Sequence, residues 1–448
     1  MMSDAMVTAL HFARTRWGRR FHNRAQLEAW QQARLQRFIR EVLPRAPYYR
    51  DLNARTLSDL PIMDKAAMMA DFGARNTRGI ALEQAFAVGI QAEQTRDFLP
   101  LLGDLTVGLS SGTSGNRGVF LVSPHERLRW AGILLGHALP PFLLRRLLSP
   151  WQPPLRIAFF LRANSNLYRT LNSRRIDFAF YDLLLGVEAA LPALNRTQPD
   201  IVVGPPALLR ALAAEAQAGR LTIAPCHVIS VADVLEDADR AAVWAAFGVA
   251  THQLYQATEG FLGYTCAHGG LHLNERFVHI EPDWLDAEHT RFQPIVTDFT
   301  RDTQLIVRYR LNDVLRVADH PCPCGRVERT LAAIEGRADE VLVLPARVTG
   351  KAVPIYPDLI RRALLLVGPE VREFDLVQQG AQMTLGVQLE GDHAAVRVRI
   401  AAEFDALWQS LAVVPPSLVF TDWQPPLSGA KRRRVRRLSV PEGLICTF

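Results

Sequence analysis

The pattern of apolar and polar positions divides the chain into stretches of different texture. Between residues 25 and 43, Leu27, Trp30, Leu35, Phe38, Ile39 and Val42 recur at helical spacing, which predicts an amphipathic helix. Pro44 and Pro47 end it, since proline lacks the N–H that a helix interior needs. Further along, short apolar runs at 156–161, 201–203, 228–231, 296–299 and 305–309 predict buried strands, with helices at 207–218 and 238–246 between them. This alternation predicts an α/β class with a largely parallel sheet. After Gly336 the texture changes: strands are expected at 341–344, 374–377 and 383–389, around helices at 356–366 and 394–411. That is the size of a small α+β domain. The expected division is 1–338 for a large N-terminal domain and 339–448 for the small C-terminal one, with the boundary near Ala338 and Asp339.

Composition sharpens this picture in three respects. A chain of 448 residues exceeds one ordinary core, and 49% hydrophobic with 21% charged residues is the balance of a folded protein. Net charge is only +6, and the basic excess concentrates in residues 431–437, Lys-Arg-Arg-Arg-Val-Arg-Arg. Such a run suits a polyanion (ATP, coenzyme A or nucleic acid) or is simply a solvated surface. No zinc-finger, helix-turn-helix or RNA-binding motif accompanies it, so no nucleic-acid partner is expected. Residues 1–10 lack a secretory pattern and no run of about 18 uncharged apolar residues exists, so no membrane partner is expected either. Five cysteines, an odd number in a large chain, point to a reducing compartment and a cytoplasmic location.

Four segments carry candidate chemistry. Leu109-Ser-Ser-Gly-Thr-Ser-Gly-Asn-Arg-Gly118 is a glycine-rich turn whose N–H and hydroxyl groups can face an anion, although no Gly-Lys-Ser/Thr ends it. Tyr255-Gln-Ala-Thr-Glu-Gly260 follows a predicted strand; an aromatic ring offers a face for adenine and a carboxylate can hold Mg²⁺. Arg308-Tyr-Arg-Leu-Asn-Asp313 ends in a carboxylate able to accept ribose hydroxyls. Gly336-Arg-Ala-Asp-Glu340 lies at the expected domain boundary. Each alone is more often a plain loop or a solvated acid.

In this order and at these distances the four segments resemble the adenylate-forming superfamily of acyl-CoA synthetases and ligases. Within it, they look most like the branch of phenylacetate-CoA ligases and deazaflavin-coenzyme adenylyltransferases. The family loop Ser-Ser-Gly-Thr-Thr-Gly-Lys falls on residues 110–116, Tyr-Gly-x-Thr-Glu on 255–259, Tyr-Arg-Thr-Gly-Asp on 309–313 and Gly-Arg-x-Asp-Asp on 336–340. The likeness covers nearly the whole chain. It implies a large domain of mixed and parallel sheets with a small mobile lid domain, and ATP with Mg²⁺. Ser110, Ser111, Gly112, Thr113, Ser114 and Gly115 would hold the β- and γ-phosphates, and Glu259 the magnesium. Tyr255 would stack on adenine, followed by Gln256, Ala257 and Thr258, with Ala232 and Asp233 bordering the base. Asp313 would bind ribose, Arg337 would contact the nucleotide, and Asp339 would be the hinge. Two departures stand out. Asn116 replaces the loop lysine, with Arg117 next to it, and the family's C-terminal Gly-Lys appears as Gly429-Ala-Lys-Arg432, one residue out of register. Lys431 is the candidate catalytic cation, with Arg432 or no residue as the alternatives.

The resemblance implies adenylation of a small carboxylic acid and then thioester formation with coenzyme A or the pantetheine of an acyl carrier protein. A homodimer is carried as an expectation. Direct AMP transfer to a phenolic hydroxyl and a degenerate nucleotide-binding protein stay open as alternatives. Phe159, Phe160, Tyr168, Phe180 and Tyr181 lie where an acyl slot is expected, with Arg162 and Asn164 nearby, and are equally well ordinary core. Finally, Cys322-Pro-Cys324-Gly sets two thiols on a tight turn, and Cys266 with His272 could complete a closed Cys₃His zinc site, with His268 as alternate fourth ligand. The other reading is reduced, buried cysteines and a histidine satisfied by the backbone.

Overall fold

The computed structural model describes residues 3–97, 102–110, 118–161, 170–368, 370–424 and 434–438. The chain forms two compact units, one of Met1–Leu311 with Val317–Ala333 and one of Asn312–Arg316 with Ile334–Phe448. Ala338 and Asp339 lie inside the second unit, soon after Ile334.

The first unit is built on a large mixed sheet. Its parallel part runs in the spatial order Ile176–Asp182, Leu155–Leu161, Ile201–Gly204, His227–Ser230, Thr251–Ala257. Antiparallel strands Gly260–Thr265 and Leu271–Leu273 continue it. Parallel strands covered on both faces read as near-continuous apolar runs, which is why 156–161, 201–203 and 228–231 are recognisable. Within Leu155–Leu161, Ile157 and Phe159 enter a core shared with helices Pro124–Ala138 and Pro141–Leu148, while Ala158 and Phe160 enter one shared with Gly186–Thr197 and Pro206–Gln217. Each fully buried side chain of this kind contributes roughly 1.5–3 kcal/mol.

The expected amphipathic helix forms as Arg24–Glu41, with the Asn23 side chain accepting the Gln26 N–H at its start. It is anchored by Arg24, whose guanidinium donates to both carboxylate oxygens of the buried Glu275 at 2.5 and 2.7 Å. Two strand expectations need correction. The strand expected at 296–299 ends earlier, as Arg291–Thr297. Of 305–309, only Tyr309 enters a ladder, in the short strand Tyr309–Arg310 paired with Ile295 and Val296. Leu305, Ile306 and Val307 are fully buried, so their apolar run reports burial rather than strand pairing. Arg308 then takes a left-handed backbone, φ 44°, which breaks the extended run.

In the second unit, strands Ser417–Asp422, Gln382–Leu389, Val371–Gln379 and Val435–Leu438 form a four-stranded sheet in that order. Helices Pro357–Val367 and His393–Ser410 cover it, and Ile360, Leu364, Ile400, Phe404 and Trp408 meet Leu376, Met383 and Leu385 in the core. No described helix is long and apolar enough to cross a membrane.

Candidate functional site

The glycine-rich turn is bracketed by a hairpin. Strands Thr106–Leu109 and Val119–Val122 pair antiparallel, and beyond them the Ser110 N–H donates to the Gly118 carbonyl at 2.7 Å. Ser110 Oγ accepts the Gly118 N–H at 2.7 Å and the ammonium of Lys65 at 3.1 Å. Ser111, Gly112, Thr113, Ser114, Gly115, Asn116 and Arg117 lie outside the described residues. Next to the bracket is a small cavity, partly open to solvent, lined by Lys65, Ser110, Gly118, Thr258, Glu259 and Tyr309 among others.

Glu259 is the acid of this cavity. It lies on the turn between strands Thr251–Ala257 and Gly260–Thr265. The Thr258 hydroxyl donates to Glu259 Oε2 at 2.8 Å, and the Arg301 guanidinium holds the Thr258 carbonyl at 2.7 Å. Burial raises the Tyr309 phenol, and the charge and hydrogen bond of Glu259 raise it further. Tyr309 therefore stays protonated and faces the carboxylate as a donor. Tyr255 is 7% exposed within its strand, while Gln256, Ala257, Thr258 and Glu259 are half-buried. Ala232 has a left-handed backbone, φ 72°, and the Asp233 N–H closes a tight turn on the Val231 carbonyl at 2.9 Å. Ala232–Asp233 and Thr258–Glu259 thus follow the carboxyl ends of two adjacent parallel strands, the end at which open α/β sheets bind ligands.

The remaining expected nucleotide residues belong to the second unit. Asp313 opens strand Asp313–Val317, and Arg337 ends strand Thr330–Arg337. The Ala338 N–H donates to the Asn312 carbonyl at 2.7 Å, and the Arg337 N–H to Glu340 Oε2 at 3.1 Å. Asp339 sits in the single turn 338–340, its side chain outside the described set. Lys431 and Arg432 are also outside it. The basic run gains a structural explanation in its second half. Val435–Leu438 is a strand, and Arg434 and Arg436 face Glu373 and Asp375 at 3.5 and 3.4 Å.

Cys266, His272, Cys322 and Cys324 converge, their ligand atoms all within 4.8 Å of one another. Cys266 Sγ is 3.6 Å from Cys322 Sγ, and Cys324 Sγ is 3.2 Å from His272 Nε2. The ring is oriented from behind, with Nδ1 3.2 Å from the Glu328 carbonyl. Burial works to raise both turn thiols, but the backbone N–H groups of Cys324 and Gly270 and hydrogen bonds with the neighbouring thiols bring Cys322 below its ordinary value, whereas Cys324 is pushed up to about 12 despite the Arg326 N–H. N–H groups aimed at sulfur are what thiolates on a metal need. A Cβ on Gly270 would stand 2.7 Å from Cys322 Sγ, so only glycine leaves room there. His268, the alternate ligand, is exposed and outside the cluster.

The acyl-slot expectation needs correction. Phe159 and Phe160 are successive strand residues and point to opposite faces of the sheet. Phe160 stacks on Tyr181 at 4.8 Å beneath the helices of one face. Phe159, Phe178 and Phe180 share the other face with Ala232, with the Phe159 and Phe178 rings 5.3 Å apart. Tyr168, Arg162 and Asn164 lie outside the described residues.

Lys65 is a cavity residue that the local sequence motifs do not mark. Its one sequence signal is a lysine placed directly after the N-cap Asp64 of helix Lys65–Ala70, where the helix dipole disfavours a cation.

No protein-family model and no curated relative matches the chain. Among solved structures it is similar to a 2-hydroxyisobutyryl-CoA ligase in the postadenylation state, with a TM-score of 0.63 and 16% identity over 94% of this chain and 91% of that one. It is also similar to fatty acyl-adenylate ligases from E. coli and L. pneumophila, with TM-score 0.51, 11% identity, and coverage of 74% and 69%. A third is the anthranilate-CoA ligase AuaEII in complex with anthranoyl-AMP, with TM-score 0.50, 14% identity, and coverage of 73% and 65%. The fold is that of the adenylate-forming ligases.

Proposed function

We propose that this protein is an adenylate-forming ligase, which activates a carboxylic acid with ATP and passes the acyl group to coenzyme A or a carrier-protein pantetheine. The observation that carries the reading is Glu259, fixed by the Thr258 hydroxyl in a cavity that also holds Ser110 and Gly118, the two ends of the glycine-rich loop. The fold shared with a 2-hydroxyisobutyryl-CoA ligase supports it.

In the first step the acid's carboxylate oxygen attacks the α-phosphorus of ATP. The bond from that phosphorus to the bridging oxygen breaks, and pyrophosphate leaves with the electron pair. Catalysis of this kind rests on positioning and charge stabilisation rather than on covalent help. The hydroxyls of Thr258 and Tyr309 fix the orientation of Glu259, whose hard oxygen donors suit Mg²⁺. Mg²⁺ bound there would screen the charge on the phosphates. Asp313 is assigned to ribose, Tyr255, Ala232 and Asp233 to the adenine side, Arg337 to the nucleotide and Lys431 to the reacting carboxylate. In the second step the thiol sulfur attacks the acyl carbonyl, AMP leaves, and the thiol proton passes to solvent. A swing of the small lid domain about Asp339 would separate the two steps.

The acid is assigned as flat or aromatic, taken up against the Phe159, Phe178 and Phe180 face. Cys266, His272, Cys322 and Cys324 are assigned as a structural zinc site, since four protein ligands close the tetrahedron. The test is acid-dependent pyrophosphate release across a panel of carboxylic acids, followed by thioester analysis. Lys431→Ala should abolish release yet spare thioester formation from supplied acyl-AMP. No release with any acid, despite ATP binding, overturns the reading.

A further inference from the structure

We infer that Lys65 is a phosphate-binding residue of this site, supplying positive charge to the terminal phosphates of ATP from outside the glycine-rich loop. The inference rests on the ATP-dependent reading above and adds to it a residue outside every motif.

Three observations converge on it. First, the Lys65 ammonium is already at the loop: it donates to Ser110 Oγ at 3.1 Å and lines the same cavity as Glu259. An ammonium is a compact point charge with three donors, suited to phosphate oxygens in varied geometry. Second, its position is built rather than incidental. Met63 is clamped alongside the Arg308–Arg310 segment, its N–H donating to the Arg308 carbonyl at 3.0 Å and its carbonyl accepting the Arg310 N–H at 2.8 Å. The Arg308 guanidinium also holds the Leu60 carbonyl at 2.7 Å. These bonds fix the register of Lys65 against Tyr309, and through Tyr309 against Glu259. Gly118 completes the passage, because a Cβ there would stand 3.0 Å from Lys65 Cε. Third, helix stability does not account for the lysine. It occupies the first position of helix Lys65–Ala70, where the dipole favours acids, and the helix is capped instead by Asp64, which accepts the Ala67 N–H at 2.9 Å.

The geometry separates the nucleotide into two parts. A cation beside Ser110 acts on the β- and γ-phosphates, which ATP has and AMP lacks. Binding of MgATP and of AMP to the full-length chain, measured by calorimetry, therefore tests the assignment without requiring turnover. Lys65→Met should weaken MgATP roughly tenfold or more and leave AMP within about twofold, as expected for loss of a charge-assisted hydrogen bond. Lys65→Arg, which keeps the charge, should retain MgATP within about threefold. Lys65→Gln serves as the neutral variant should the Met substitution lower the melting temperature. Equal weakening of both nucleotides, or no change in the ratio of their affinities, overturns the inference. Failure of the two readings is distinguishable. An unchanged ratio in a protein that releases pyrophosphate with acid removes only the Lys65 assignment. Absence of acid-dependent release removes the ligase reading, while the affinity ratio still judges Lys65.

Discussion

Cys324 Sγ lies 3.2 Å from His272 Nε2, and the far nitrogen of that ring is held by the Glu328 carbonyl at the same distance. Such a ring presents one nitrogen to the three sulfurs and anchors the other, the arrangement in which a histidine serves a metal. Purified protein should contain about one equivalent of zinc by elemental analysis. Cys324→Ser should bring zinc below half an equivalent and lower the melting temperature by roughly 5 °C or more. Zinc-free protein of unaltered stability would leave the cluster as plain reduced cysteines.

Glu259 should matter to one half-reaction far more than to the other. Glu259→Gln keeps size and hydrogen-bonding capacity but removes the charge, so acid-dependent pyrophosphate release should fall by roughly a hundredfold or more. Thioester formation from supplied acyl-AMP involves no polyphosphate and should stay within about tenfold of the parent. Comparable loss in both assays would place Glu259 outside phosphate chemistry.

The two faces of strand Leu155–Leu161 give a paired expectation. Phe160→Ala removes a ring stacked on Tyr181 under the helices and should cost about 3–5 kcal/mol in denaturant unfolding, with the ranking of acids unchanged. Phe180→Ala, on the face with Ala232, should instead reorder that ranking. The comparison of kcat/KM across the acid panel decides it, and a ranking untouched by Phe180→Ala would move the acyl pocket elsewhere.

Acid should weaken the first unit through His227. The ring is buried against His252, and its Nε2 lies 3.0 Å from the Ala138 carbonyl. Burial, followed by repulsion from His252, holds its pKa down at about 4, with the Ala138 carbonyl acting the other way. An unfolded chain binds this proton near pH 6.5 and the folded one only near 4, so unfolding takes up a proton between those values. The stabilisation is therefore complete above about pH 6.5 and is lost as pH falls toward 4, by about 2 kcal/mol at pH 5. His227→Gln keeps a donor for Ala138 and should flatten the difference between urea midpoints at pH 7.5 and pH 5. An equally steep dependence in the variant would assign the acid sensitivity to other groups.

Much of the fold and part of the lining of the candidate cavity can be read from the residues, and the boundary between legible and hidden is physical. Buried parallel strands such as Ile201–Gly204 announce themselves because both faces are apolar. Glu259 is legible because its neighbours in sequence, Tyr255 through Thr258, belong to the same local turn and strand. The run at 305–309 misleads, since burial without pairing gives the same apolar signature as a strand. Phe160 misleads when grouped with Phe159, although the period-two rule already separates them. Lys65 is hidden for a different reason: its place follows from backbone bonds between Met63 and Arg308–Arg310, a pairing that no local pattern encodes.

That pairing also sets a timetable. Leu60 and Arg308 are 248 residues apart in the chain, so the wall of the cavity that carries Lys65 cannot be laid down until Arg308 has been synthesised. Contacts of such long range form late, after the loop between them has closed. A nascent chain halted before Arg308 would already have much of the parallel sheet but no complete cavity. A ligand of that cavity would therefore stabilise the finished protein without rescuing its early folding intermediates.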